Sequence, residues 1–156
     1  MDILKEDKRI GFIAWKDAQT NFVVAPLNNE EFTFSPKGTY VDDYEQSWRI
    51  AGNASILDLK VTKEGRIQYQ DYPDALARLY GALHSQKGRV IIVDAKPSYE
   101  FIEEHSHDHA GGGAHGSLHK VDSIVPMIVT GTNESPQSNR LVDVKKWILQ
   151  LVGDSE

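Results

Sequence analysis

The hydrophobic pattern of this chain changes period near residue 72, and that change limits the folds open to it. Before residue 72, short runs of β-branched and aromatic residues alternate with turn residues, which is typical of strands. We predict a hairpin from residues 9–15 and 21–27, a strand at 31–35, and a second hairpin from 56–61 and 66–69. Gly65 lies in the second turn, where a positive φ is favourable. Residues 39–55 show no period and are predicted to form an irregular loop.

After residue 72, apolar residues recur every three or four positions. Residues 72–87 are predicted to form a helix with one buried face, made by Leu76, Leu79, Tyr80 and Leu83. Continuous apolar runs at residues 89–94 and within 122–130 predict two strands that are covered on both faces. A last helix is predicted at residues 138–151, with an apolar stripe at Leu141, Val144, Ile148 and Leu151. Strands that alternate with helices indicate an α/β protein.

Composition excludes several classes of function. The 156 residues suit one ordinary domain, and the absence of cysteine removes disulfides, thiolate ligands and a cysteine nucleophile. With 23 acidic and 17 basic residues the net charge is -6, which disfavours binding to a nucleic-acid backbone, whereas a small anionic substrate held by a metal fits. The charged N-terminus does not resemble a signal peptide, and no apolar run is long enough to span a membrane. Cytoplasm is therefore the default location, with no membrane partner.

Five histidines fall within fifteen residues, at His105, His107, His109, His115 and His119, and three glycines at 111–113 interrupt them. Imidazole is the commonest transition-metal ligand, and glycines allow the backbone to approach an ion closely, so this segment predicts a metal site. The alternating histidines at 105–109 fit adventitious metal capture and a mobile polar loop equally well.

Other candidate residues have plainer interpretations. Asp94 ends a predicted strand, where it either holds a ligand or caps the next turn. His84 and His119 are expected at the surface or in packing. The aromatic residues Trp15, Tyr44 and Trp48 are expected in the core rather than around a ligand.

Five motifs together resemble a known family. They are DYPDALARLY at 71–80, VDAKP at 93–97, GGAHGSL at 112–118, VPMIV at 125–129 and RLVD at 140–143. In this order they resemble the C-terminal part of a type I phosphodiesterase/nucleotide pyrophosphatase of the alkaline phosphatase superfamily. The resemblance covers about residues 70–152.

The resemblance implies a hydrolase of small phosphate esters with two zinc ions, in which His115 is a zinc ligand. His109 and His107 are weaker candidates. The family's remaining ligands and its nucleophile lie upstream and have no match here, so no catalytic residue is expected in this chain and it should be inactive alone. The resemblance also implies a partial three-layer α/β sheet of the alkaline-phosphatase-like type. Residues 1–70 would then form a β-rich, cap-like N-terminal insertion, and residues 71–156 the C-terminal α/β part of the metallohydrolase domain.

Two alternatives remain open from the residues. The chain could be a non-catalytic metal-binding accessory module, completing a new site from His115 with His107 or His109 and with Asp108 or Glu104. It could instead be half of a split enzyme, paired with a separate N-terminal chain. A half-sheet exposes a strand edge, which also predicts self-association.

Overall fold

The computed structural model describes residues 2–18, 20–105 and 116–153. In chain order their elements are α1 (Asp2–Lys5), β1 (Ile10–Asp17), β2 (Thr20–Val24), β3 (Glu31–Asp42), β4 (Ser47–Gly52), a 3-10 turn (Ala54–Leu57), β5 (Leu59–Val61), β6 (Arg66–Tyr69), α2 (Ala75–His84), β7 (Ile91–Ala95), α3 (Lys120–Ser123) and α4 (Leu141–Val152). Contacts divide the chain into two compact units, residues 1–124 and 125–156.

The seven strands form one mixed sheet in the first unit. Their order is β5-β6-β3-β2-β1-β7, and β4 pairs with β3 off this path. Neighbouring strands are antiparallel except β3 and β6, which run parallel where Val41 lies beside Arg66. A mixed α/β class is therefore confirmed, with few helices. The sheet joins strands from both sides of residue 70, and the functional division at that residue stays a prediction.

Both predicted hairpins are confirmed. The first joins β1 to β2, with Trp15 opposite Phe22 and their rings stacked at a centroid distance of 5.4 Å. The second joins β5 to β6, and Gly65 in its turn has a φ of +79°. A side chain is strained at this φ, whereas glycine adopts it freely.

The prediction of an irregular loop at residues 39–55 is wrong. β3 continues to Asp42, and residues 47–52 form β4, which pairs with β3 so that Phe34 lies opposite Ile50. The register shifts next to Gly38, where an added Cβ would collide with the backbone of Trp48. In the sequence, acidic residues and glycines obscure the alternation of apolar and polar side chains. In the structure Trp48 is buried, and the residues on either side of it are exposed.

The sheet carries a hydrophobic core on each face. The larger core packs α2 against the strands, and Leu76, Leu79 and Leu83 of this helix are fully buried, as predicted. The smaller core consists of Ile10, Ile13 and Val24, with Leu4, Trp15 and Val93 packed against it. The sheet is therefore well covered on one face and sparsely on the other.

Two apolar runs do not form the doubly covered strands predicted for them. The run at 89–94 becomes β7, which lies at the end of the sheet and leaves Ile91 53% exposed. Within 122–130 there is no strand: residues up to Ser123 belong to α3, and the following residues have no regular structure. A continuous apolar run forms a strand only if another strand supplies backbone hydrogen bonds, and none pairs with this segment among the described residues.

The second unit contains α4, which confirms the predicted last helix. No residue of α4 is buried, and its predicted stripe is exposed at Leu141, Ile148 and Leu151. The helix ends at Gly153, which has a φ of +83° and closes the last turn in the manner of a glycine C-cap. Across the described ranges, no helix combines the length and the apolar character needed to cross a membrane.

Candidate functional site

The strongest predicted ligand, His115, and the weaker candidates His107 and His109 lie outside the described residues. The structure describes the chain on either side of them. His105 is exposed on the upstream side, and Gly116 follows directly on the downstream side with a φ of +114°. The candidate site is therefore defined by what holds the segment that begins at Gly116.

Asp94 holds this segment against the sheet. The backbone N–H of Leu118 donates to Oδ1 of Asp94 at 3.1 Å, and the Ser117 hydroxyl donates to Oδ2 at 3.3 Å. Asp94 is the one buried residue of β7 and is 5% exposed. Of the two predicted roles of Asp94, capping of the next turn is not seen among the described residues, where both of its hydrogen-bond partners lie more than twenty residues downstream. Its carboxylate fixes the two residues that follow Gly116.

Arg78 of α2 holds the same segment from another direction. Its Nη1 donates to the carbonyl oxygen of Leu118 at 3.0 Å, and its Nη2 donates to the Ser123 hydroxyl at 2.9 Å. The Ser123 oxygen lies 3.1 Å from the carbonyl oxygens of both Ser117 and Leu118. A planar guanidinium with several donors fixes the orientation of such a turn as well as its position.

A third set of contacts comes from the residues before α2. Lys120 Nζ lies 2.6 Å from a carboxylate oxygen of Asp71, and the Lys120 N–H donates to the Asp71 carbonyl at 2.7 Å. The Lys120 ammonium holds the pKa of Asp71 below its ordinary value. His119 packs edge to face on Tyr72 at 5.4 Å, and its Nδ1 accepts the Val121 N–H. His119 is therefore a packing residue, in agreement with its prediction.

Burial dominates the electrostatics around Asp94. It raises the pKa of this carboxyl above 3.8, although the hydrogen bonds from Leu118 and Ser117 act in the opposite direction. Burial, together with the charges of Asp94 and Asp71, raises the pKa of Tyr72 to about 12. Tyr72 therefore remains a neutral phenol at physiological pH.

The raised pKa of Asp94 predicts how stability depends on pH. Because the folded state binds this proton more tightly than the unfolded state, the stability contributed by this group is present below pH 4 and decreases as pH rises through the native pKa. Asp94→Asn keeps an acceptor for Leu118 but removes the titration. The free energy of unfolding of the wild type minus that of Asp94→Asn should therefore fall between pH 3 and 7 in urea titrations. A difference that rises over this range would contradict the predicted direction.

A second polar cluster surrounds Asp42, which is fully buried. Its Oδ2 accepts from Trp48 Nε1 at 2.7 Å, from the Tyr69 hydroxyl at 2.9 Å and from Gln46 Nε2 at 3.1 Å. Its Oδ1 accepts the backbone N–H groups of Tyr44 and Gln46, both at 2.9 Å. Burial and the adjacent carboxylate raise the pKa of Tyr69. Because its oxygens are occupied by protein donors, Asp42 closes the turn between β3 and β4 and is not a candidate ligand.

The remaining candidates are in packing. Trp48 is 4% exposed in the larger core, and Tyr44 lies against the ring of Tyr69 at 5.9 Å. His84 stacks on Tyr80 at 4.1 Å, and its Nε2 lies 3.0 Å from Oδ1 of the buried Asn21. Burial, assisted by Lys16, lowers the pKa of His84.

Arg78, Ser117 and Ser123 are site residues that were not singled out from the sequence. Arg78 contacts Leu118 across 40 residues and Ser123 across 45. A single sequence does not reveal pairs that are so far apart. The one local signal is the arginine itself, which lies within an otherwise apolar helix pattern. In the described parts of the chain, no group of three or more His, Cys, Asp or Glu residues is arranged to hold a metal ion.

Comparison with known proteins identifies no family for this chain. The chain matches no protein-family model, no curated protein and no solved structure. The features that bear on function are therefore the sequence motifs and the contacts that hold the segment after His115.

Proposed function

We propose that this chain is the C-terminal part of a metal-dependent phosphoric-ester hydrolase of the phosphodiesterase/nucleotide pyrophosphatase type. It contributes His115 as one zinc ligand and is inactive alone. The observation that carries the proposal is the anchoring of residues 117 and 118, which follow His115 almost directly, by the buried Asp94. The second motif of the resemblance supplies this aspartate and the third supplies its partners, so two separate motifs meet in space.

Anchoring of this kind is what a metal ligand requires. A ligand on a loose loop pays an ordering cost when it binds, whereas one next to a fixed turn is already placed. Asp94, Arg78 and Asp71 fix the chain from Ser117 to Lys120 from three directions. Leu118 also packs against the larger core. The turn after His115 therefore belongs to the folded sheet unit.

Among the described residues, the carboxylates nearest to the segment after His115 are occupied by protein donors. Both oxygens of Asp94 accept hydrogen bonds from the protein, and those of Asp71 face Lys120 and His119. These carboxylates therefore position the segment. A zinc ion withdraws charge from phosphoryl oxygens when it is bound, and catalytic zinc usually has three protein ligands. We propose that the other ligands and the nucleophile come from an N-terminal part.

The proposed relationship to these hydrolases also predicts the type of sheet. We propose that the sheet is part of a three-layer α/β sheet of the alkaline-phosphatase-like type and that residues 1–70 form its β-rich insertion. The exposed apolar side chains at Ile91 and along α4 support this, because a further layer or strand would bury them. The proposed substrate is a small phosphate ester.

Hydrolysis of a chromogenic phosphodiester and a chromogenic phosphomonoester tests whether the chain is complete. With added zinc or manganese, the 156-residue chain is expected to show no turnover above that of His115→Ala, because in this proposal the activated nucleophile belongs to the N-terminal part. Turnover that disappears in His115→Ala would mean that the chain holds a whole catalytic site, and the proposal of a C-terminal part would be wrong.

A further inference from the structure

Gly11 lies at an irregularity of the sheet, beside residues that hold the candidate site. In the pairing of β1 with β7, Ile10 lies opposite Ala95. Asp94 then lies opposite Phe12 rather than Gly11, so β1 has one residue more than β7 at this point. An extra residue of this kind forms a β-bulge, which bends the strand and redirects neighbouring side chains. A glycine in a strand also marks a place where other groups approach the backbone closely.

Two side chains approach the backbone of Gly11. A Cβ atom built on Gly11 would lie 3.3 Å from the Tyr72 hydroxyl oxygen and 3.4 Å from Oδ2 of Asp94. The first distance is shorter than an ordinary van der Waals contact, and the second is at its lower limit. The carbonyl oxygen of Asp94 would follow at 3.5 Å. A side chain at position 11 would therefore have to displace its neighbours.

Asp94 cannot yield to such a side chain without moving the segment that it holds. It is 5% exposed, and its Oδ1 accepts the backbone N–H of Leu118. Its Oδ2, which is the oxygen nearer to Gly11, accepts from the Ser117 hydroxyl. A displacement of Oδ2 by a few tenths of an ångström would therefore be passed on to residues 117 and 118.

Tyr72 is confined in a similar way. Its ring packs edge to face against Phe12 at a centroid distance of 5.7 Å and against His119 at 5.4 Å. Phe12 is fully buried in the larger core, where close packing leaves little room for a shift. A displaced Tyr72 ring would therefore press on His119. Both neighbours of Gly11 thus contact the segment that follows His115.

We propose that Gly11 is a positioning residue of the zinc site in the proposed hydrolase. The absence of a side chain lets Asp94 and Tyr72 hold residues 117–119 in the place from which His115 reaches the metal. The inference rests on the proposed function, because it takes His115 as a zinc ligand. A ligand binds most tightly when the residues behind it already hold it in the required geometry. Gly11 acts through these residues and touches neither metal nor substrate.

Amide hydrogen exchange of Gly11→Ala in the 156-residue chain, followed by NMR, tests the first step. We expect the Leu118 amide, which donates to Asp94, to exchange about two- to tenfold faster, because a hydrogen bond of ordinary strength is weakened. The amides of β6 report any loss of global stability. An unchanged Leu118 amide, or one that changes only as much as the amides of β6, would overturn the proposal.

Gly81→Ala is the matched control for this substitution. Gly81 lies in α2, and a Cβ atom built on it meets no atom of the described residues within 4 Å. The substitution adds the same methyl group and should not accelerate exchange of the Leu118 amide. Acceleration equal to that in Gly11→Ala would mean that the effect does not come from the bulge.

The double variant Gly11→Ala/Tyr72→Phe tests whether the effect passes through the close approach. It removes the hydroxyl oxygen nearest to the added Cβ atom. Relative to Tyr72→Phe alone, alanine at position 11 should therefore accelerate exchange of the Leu118 amide less than it does in the wild type. If Gly11→Ala does not fold, the double variant should recover the fold. Absence of any rescue would place the strain in the strand itself and would overturn the proposal.

Zinc titration of the intact hydrolase tests the second step. We expect Gly11→Ala to raise the zinc dissociation constant by about tenfold, the lower end of the usual effect of residues that orient a ligand. At saturating zinc, kcat should stay close to that of the wild type, because no group that contacts the substrate changes. Unchanged zinc affinity in Gly11→Ala, together with loss of zinc in His115→Ala, would overturn the positioning role. If His115→Ala also kept its zinc, the proposed function itself would have failed.

Discussion

Replacing His115 by alanine in the intact hydrolase is expected to lower zinc content and ester hydrolysis together, by at least about 100-fold in activity. Loss of a residue that merely orients a ligand costs about 10- to 100-fold, so loss of the ligand itself should cost at least as much. The turn from Ser117 to Lys120 is held by Asp94, Arg78 and Asp71, and the substitution changes none of these residues. The variant should therefore fold normally, and metal analysis and initial rates measure the effect.

His107→Ala is the matched control for this prediction. It removes an imidazole from the same segment but lies outside the motif that resembles the family. We expect its zinc content and rate to stay close to those of the wild type. Equal losses in the two variants would contradict the assignment of His115 and would favour a site formed by the alternating histidines.

Asp42→Ala is expected to lower the free energy of unfolding by about 3–5 kcal/mol. The substitution leaves Trp48 Nε1 and the Tyr69 hydroxyl without their acceptor inside the core, and each buried donor without a partner costs about 1–3 kcal/mol. It also releases the backbone N–H groups that close the turn between β3 and β4. Urea unfolding followed by circular dichroism measures the change.

Asp17→Ala serves as the control, because Asp17 is an exposed acid at the end of β1. Its effect should be within about 0.5 kcal/mol, as is usual for surface substitutions. If Asp42→Ala also changed stability by less than 1 kcal/mol, the buried cluster would not hold this turn.

Local patterns predicted the elements that depend on local signals. The turn at Gly65 needs one residue with a positive φ, and the spacing of Leu76, Leu79 and Leu83 defines one face of a helix. Both hairpins and both long helices could therefore be found in the sequence. Strand β4 could not be, because its alternation is short and depends on Trp48, whose role requires the acceptor Asp42 on the other strand.

The features that could not be predicted depend on residues that are distant in the sequence. The run at 89–94 has the composition of a central strand but lies at the end of the sheet, since a sequence does not reveal which strand is next to it. In the candidate site, Asp94 could be predicted because it ends an apolar strand. Arg78 could not, since its partners Leu118 and Ser123 are forty or more residues away.

Nitrogen-15 NMR of the histidine rings in the intact, zinc-loaded enzyme tests the central proposal most directly, because a ring nitrogen bound to zinc changes its chemical shift. We expect His115 to show this change on zinc addition, while His105, His107 and His109 keep the shifts of free imidazoles. Zinc-dependent changes confined to those three residues, with His115 unaffected, would contradict the assignment of His115 as the ligand that this chain contributes.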